Sequence, residues 1–202
     1  LAIPMGVLAA WKARTFIDRL VMGFSVLGFA VPGFLVGYLL IYVFAIELKW
    51  LPVQGYRPLS QGIDQTARSI ILPALALSMA YMALIARMTR ASMLDVLSQD
   101  YIRTAKAKGV ATLIVLLRHA LKNAAVPIIT VIGIGLTLLI SGVVITETVF
   151  NIPGLGRLTV DAILKRDYPI IQGLIILFAG AKVLVNLLID ISYVFFDPRI
   201  RY

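Results

Sequence analysis

The sequence predicts an all-α integral membrane protein, and three observations carry that reading. The 202 residues are 60% hydrophobic and only 14% charged, with a mean hydropathy of +0.95. A soluble domain of this length cannot bury so much apolar surface. Several runs meet or approach the roughly 20 apolar residues that a helical span needs. The Lys and Arg residues collect in alternate connectors between those runs.

The runs come in order. Leu1–Ala10 is apolar from its first residue, with no basic stretch ahead of it. It reads as the tail of a helix rather than a signal peptide, and the sequence is expected to be part of a longer chain. Leu20–Ile46, Ser69–Ala86, Ala124–Thr146 and Pro169–Ser192 follow. The expectation is four complete transmembrane helices plus the end of a fifth, in a single domain over residues 1–202. Pro32, Pro73 and Pro127 fall in or at the ends of these runs. Lipid-embedded helices tolerate them where neighbours satisfy the freed carbonyl. Gly33 and Gly37 form a small-xxx-small pair suited to close helix packing.

Basic residues orient the chain. Trp11–Arg19, Arg87–Asn123 and Asp197–Tyr202 carry 12 Lys and Arg residues, against 6 in Glu47–Arg68 and Glu147–Tyr168. The positive-inside rule places the first set in the cytoplasm. The net charge of +9 is therefore topological, and no nucleic acid partner is expected. With no cysteine and one histidine, His119, the chain offers no Cys- or His-based metal cluster. His119 reads as a structural or solvated residue, and no catalytic residue is expected. No G-x-x-x-x-G-K-[ST] run exists to cradle a nucleotide.

Arg87–Asn123 has seven basic and two acidic residues and is rich in helix formers. Gly109 stands where one short helix would end and another begin. Val110–Leu117 is apolar but too short to span, so it should pack on the ends of the spans. A positive-inside anchor needs charge alone, not an ordered helix–Gly–helix.

Asp100-Tyr-Ile-Arg-Thr-Ala-Lys-Ala-Lys-Gly109, then Arg118-His-Ala-Leu-Lys122 and Pro127, resembles the coupling-loop signature of ABC-importer permeases of the dipeptide/oligopeptide/nickel branch. Glu147-Thr-Val-Phe-Asn-Ile-Pro-Gly-Leu-Gly-Arg157, Arg166-Asp-Tyr-Pro-Ile-Ile-Gln-Gly173 and Asp197-Pro-Arg-Ile-Arg-Tyr202 are similar to further motifs of that family, in the same order. Arg103-Thr104-Ala105 stands at the place of the general Glu-Ala-Ala, with Gly109 at the place of its Gly. There are two departures. Ala111–Val115 is less basic than the pattern, and Lys182 stands where an apolar residue belongs.

The resemblance implies half of a translocation pore, completed by a second homologous permease subunit in the plasma (inner) membrane of a bacterium or archaeon. It implies two cytoplasmic ATPase subunits that hold ATP and Mg, and an extracytoplasmic substrate-binding protein. This chain would need no cofactor. Asp100, Arg103, Thr104, Ala105, Lys106, Lys108 and Gly109 would form the segment that couples to the ATPases. Pro153, Gly154, Gly156 and Arg157 would either touch the binding protein or simply reverse the chain. The cargo class would be peptides, nickel complexes or oligosaccharides. The alternative is a transporter driven by an ion gradient. It calls for intramembrane carboxylates or broken helices at mirrored positions, whereas Glu147 and Asp190 lie near span ends and no inverted repeat is visible.

Lys182, Asn186 and Asp190 are spaced by four and share one helix face. Lys182 lies about a dozen residues from either end of its run, roughly 18 Å along a helix. Ionisable residues at such depth usually face a bundle interior or a wet cavity. Two readings stay open. Lys182 lines the pore and favours anionic groups such as a peptide carboxylate, or it pairs with a neighbouring helix.

Overall fold

The computed structural model describes residues 1–196. The ending Asp197–Tyr202, with its expected cytoplasmic Arg199 and Arg201, lies outside the described residues. Every regular element among the described residues is helical. These are α1 (Ala2–Trp11), α2 (Phe16–Ala30), α3 (Gly33–Leu40, continued by wide turns over Ile41–Glu47) and α4 (Ile63–Leu97). They are followed by α5 (Asp100–Ala107), α6 (Thr112–Asn123, widened over Val115–Ala120) and α7 (Ala125–Val149). The last two are α8 (Leu155–Lys165) and α9 (Tyr168–Phe196).

The run Leu20–Ile46 folds as two helices rather than one. The first stops at Ala30 and the second starts at Gly33. Pro32 lacks an N–H and pushes Val31 out of the helical region. Pro32 is itself extended, with ψ 137°. Pro73, by contrast, stays inside α4, and Pro127 occupies the first turn of α7, where a missing N–H costs nothing. α6 and α7 meet at a 63° bend at Ala124. Among the described residues, Ile63–Leu97 and Tyr168–Tyr193 are each long and apolar enough to cross a membrane, and up to four spans result if each bent pair counts as one. With 35 residues, α4 is about 52 Å long by the helix rise, well beyond a hydrocarbon core of about 30 Å.

The chain divides into two compact units. Among the described residues the first holds Leu1–Ala30, Tyr81–Gly135 and 185–196. Its core joins Val7 and Ala10 of α1, Met93 of α4, Ile102 of α5, and Val115, Leu116 and Ala120 of α6. Gly6 lets α1 approach α4: a Cβ there would lie 2.5 Å from the Thr89 Cβ and 2.6 Å from the Ala86 carbonyl oxygen. Tyr193 Oη donates to Thr130 Oγ1 at 2.9 Å, fixing the end of α9 on α7.

The same unit contains a two-pronged ion pair. Arg90 of α4 meets Asp18 of α2 through Nε–Oδ1 at 2.5 Å and through the second guanidinium nitrogen to Oδ2 at 2.7 Å. The Arg14 backbone N–H donates to Oδ2 at 2.8 Å. Asp18 is 4% exposed. The pair ties the start of α2 to α4 across 72 residues of sequence.

The second unit holds Val31–Ala80 and Leu136–Leu184. Val36, Ile41, Ala45, Leu72, Ala76, Val149 and Phe150 form its core. Gly37 allows α3 to sit on Phe150, whose ring would be 3.2 Å from an added Cβ. The connector after α3 is fastened to the end of α7. Gln54 Nε2 donates to the Val149 carbonyl at 3.0 Å, and the Gly55 N–H donates to the Phe150 carbonyl at 2.9 Å.

Removing one member of a buried pair strands the other. Asp18→Leu should therefore cost about 3 kcal/mol of stability, and Asp18→Leu with Arg90→Met should recover most of it. Thermal unfolding of the three proteins in detergent checks this; equal midpoints for wild type and Asp18→Leu contradict it.

Candidate functional site

α5 is an amphipathic helix anchored along one edge. Ile102 is fully buried and Ala105 half-buried, while Asp100, Arg103, Thr104, Lys106 and Lys108 are exposed. The helix is short because of its end. The Val110 N–H returns to the Ala105 carbonyl at 3.2 Å, and the Gly109 N–H returns to the Lys106 carbonyl at 3.0 Å. This is the glycine-terminated helix stop, with Gly109 at φ +78°. An added Cβ at Gly109 would meet nothing, so backbone conformation alone favours glycine there.

The exposed face carries three cations, Arg103, Lys106 and Lys108, against one carboxylate, Asp100. Arg103 and Asp100 form a surface pair at 3.4 Å, with side chains 77% and 95% exposed. Such a pair contributes little and leaves both groups free to meet another molecule. Thr104 Oγ1 donates to the Asp100 carbonyl at 3.0 Å, so its methyl and the neighbouring alanine present a low surface. The face therefore offers cations around a shallow centre, a shape that suits seating in a groove of an acidic protein partner. His119 lies on α6, where its carbonyl accepts from Asn123 Nδ2 at 2.6 Å. Among the described residues no group of three or more His, Cys, Asp or Glu could hold a metal ion.

The turn between α7 and α8 is built around Glu147. Its Oε2 accepts the backbone N–H of Arg157, the third residue of α8, at 2.9 Å. The residue before α8 is Gly154, which has no side chain to cap the helix. Glu147 takes over that task from the preceding helix and places a negative charge at the N-terminus. Both glycines follow from this. A Cβ on Gly154 would fall on the Glu147 carboxylate, and one on Gly156 would lie 2.6 Å from the Val144 Cα. The Arg157 guanidinium donates to Asn151 Oδ1, across a chain reversal in which Asn151 has φ +53°. Pro153, Gly154, Arg157 and Asp161 line an open cavity of about 620 Å³.

A second polar cluster went unnoticed in the sequence. Lys49, Arg57, Asp64, Gln65 and Arg68 surround a cavity of about 470 Å³. Arg57 Nη1 donates to Gln65 Oε1 at 2.7 Å, and Arg68 pairs with Asp64 at 3.1 Å. No local pattern marks this cluster, because its members come from a connector and from the first turns of α4.

Lys182, Asn186 and Asp190 fall on one face of α9, and all three are exposed. No side-chain hydrogen bond or ion pair among the described residues engages them. The roles of Glu147 and Asp18 were also missed. Glu147 begins a motif and Asp18 is a lone carboxylate ahead of an apolar run, but neither position announces its partner.

Long apolar helices joined by a cation-bearing amphipathic helix define a polytopic α-helical membrane protein. The chain matches, over residues 2–202, the family described as binding-protein-dependent transport system inner membrane component, and it belongs to that family. It is 56% identical over 200 residues to a probable peptide ABC transporter permease protein of Sinorhizobium fredii, covering 99% of this chain and 64% of that relative. It is 46% identical over 198 residues to the glutathione transport system permease protein GsiC of Escherichia coli K12, covering 98% of this chain and 62% of the relative. The Shigella flexneri serotype 5b protein of the same description matches to the same extent. The chain thus spans less than two thirds of the length of these relatives.

Replacing Glu147 with Ala removes the acceptor at the start of α8 and should cost about 1 kcal/mol locally, as for other lost caps. Amide hydrogen exchange at Arg157 should accelerate about fivefold, while exchange in α5 is unchanged. Unaltered exchange at Arg157 would show that the carboxylate does not hold the turn.

Proposed function

We propose that this chain is part of the membrane-spanning subunit of an ABC importer for peptide-type cargo, and that it forms half of the translocation pore. The observation that carries the proposal is α5: an exposed cationic face, seated by Ile102 and stopped by Gly109, in a chain of this family. Membership supports the membrane setting, and relatives named for peptide and glutathione transport support the cargo class.

In this reading α7 crosses the membrane on its own, with α6 packed on the cytoplasmic ends of the spans, and the broken pair α2–α3 is read as one span. Together with α4 and α9 they make four complete transmembrane helices, with α1 as the end of a fifth. α5 faces the cytoplasm in the inner membrane of a bacterium or archaeon. Of two partner ATPase subunits, which bind ATP and Mg, one holds Asp100, Arg103, Thr104, Ala105, Lys106, Lys108 and Gly109 in a groove. Closure of the ATPases moves α5. Because Ile102 sits in the core shared by α1, α4 and α6, that displacement passes to the helices rather than being absorbed by a loop. A second homologous permease completes the pore. A substrate-binding protein docks outside against Pro153, Gly154, Gly156 and Arg157, held in shape by Glu147. This chain hydrolyses nothing itself. Of the two readings of the exposed Lys182–Asn186–Asp190 stripe, this one has it face the pore, where Lys182 favours anionic groups of the cargo, rather than pair with a neighbouring helix.

Two expected outcomes test the proposal. In vesicles holding the full-length permease, its partner permease, the ATPases and the binding protein, Arg103→Glu with Gly109→Pro should abolish stimulation of ATP hydrolysis by loaded binding protein while the complex still assembles. Unchanged stimulation contradicts the coupling assignment. Lys182→Met should raise the KM for a peptide with a free carboxylate and spare its amidated form; equal effects on both remove the pore-charge role.

A further inference from the structure

α1 and α6 flank an apolar groove of about 500 Å³ that no part of the proposed transport cycle uses. Val7, Leu8, Leu113, Leu116, Leu117 and Leu121 supply most of its wall, and Thr112 is its one hydroxyl-bearing residue. Such a lining offers almost nothing to fix a peptide backbone by hydrogen bonds. Its volume lies within the roughly 300–1,000 Å³ of sites that take small molecules.

Cations stand next to lining residues of the groove. Trp11 lines the groove and is 48% exposed, and the Lys12 ammonium sits 4.4 Å from its ring centroid. Leu117 and Leu121 are each followed by an exposed cation, Arg118 and Lys122. No acidic side chain lines the groove, and no ion pair among the described residues engages Lys12, Arg118 or Lys122. Asp18, the acid nearest to Lys12 in sequence, is already held by Arg90. An apolar trough lined by a tryptophan, with cations free of ion pairs next to its lining residues, matches one molecule at both ends. An anionic phospholipid brings an acyl chain for the trough and a phosphate for the cations.

We propose that this groove binds one anionic phospholipid of the surrounding bilayer, with an acyl chain along Leu113–Leu121 and the headgroup against Lys12, Arg118 and Lys122. The inference needs only that the chain be embedded in a membrane, so it stands or falls independently of cargo and coupling.

The test places benzoylphenylalanine at position 113 (Leu113→benzoylphenylalanine) in the full-length protein within its assembled transporter. The assembly is reconstituted in nanodiscs of phosphatidylcholine mixed equally with phosphatidylglycerol. Irradiation followed by intact-mass measurement should give a phosphatidylglycerol adduct in clear excess over the phosphatidylcholine adduct. Changing Lys12, Arg118 and Lys122 to Gln one at a time should lower that excess by about fivefold per cation. The preference in the otherwise unaltered protein decides the matter even if a charge variant fails to assemble. Equal adducts of the two lipids mean unselective annular lipid and overturn the proposal. So does an adduct to polypeptide, which would mark the groove as a protein interface, or the absence of any lipid adduct.

Discussion

The arrangement around α5 depends on one buried side chain. A short helix with three cations has no reason to stay beside an apolar assembly, and its natural state is solvated and frayed. Ile102 changes that by entering the core formed with Val7, Met93, Val115 and Leu116. Burying such a side chain is worth about 1.5–3 kcal/mol. That is enough to seat the helix, and the glycine stop at Gly109 keeps it to two turns. The charged face is outward because the single apolar anchor is inward. Rigidity at the base and charge at the surface are what a segment needs if force from a soluble partner is to reach helices in lipid.

Two carboxylates fasten the rest, each within its own unit. Asp18 locks the start of α2 to α4 through Arg90, and Glu147 caps α8 from the end of the preceding helix. Both act at helix ends, where backbone or side-chain charges would otherwise be unmatched. In a chain that is 14% charged, an acid at such a place is expensive unless it is bonded. The close approaches at Gly6, Gly154 and Gly156 belong to the same economy: each removes a side chain where two backbones, or a backbone and a carboxylate, must come together.

Much of this was legible in the sequence, and the remainder has physical reasons for being hidden. Apolar runs and sparse charge gave the helical membrane class, and the Ala-, Lys- and Arg-rich segment before Gly109 gave α5 and its end. Prolines were harder. Pro73 lies between Leu72 and Ala74, strong helix formers that carry α4 through it, whereas Pro32 is followed at once by Gly33, and the helix breaks. Periodicity cannot tell these cases apart. Nor can it tell that Glu147 will cap a helix ten residues on, or that Asp18 will find Arg90 across 72 residues. Roles came from motif resemblance: no spacing rule says that Asp100–Gly109 meets an ATPase.

The most direct test of the central claim is a proximity measurement. This sequence contains no cysteine, so Thr104→Cys introduces a unique thiol into it, on the exposed face of α5. In the assembled transporter, with cysteines elsewhere in the permease replaced, a short thiol-to-amine cross-linker should join that position to the ATPase subunit, with a yield that changes when ATP is added. Cross-linking to the binding protein instead, or reaction of the thiol with a membrane-impermeant reagent added outside intact cells, would contradict the account.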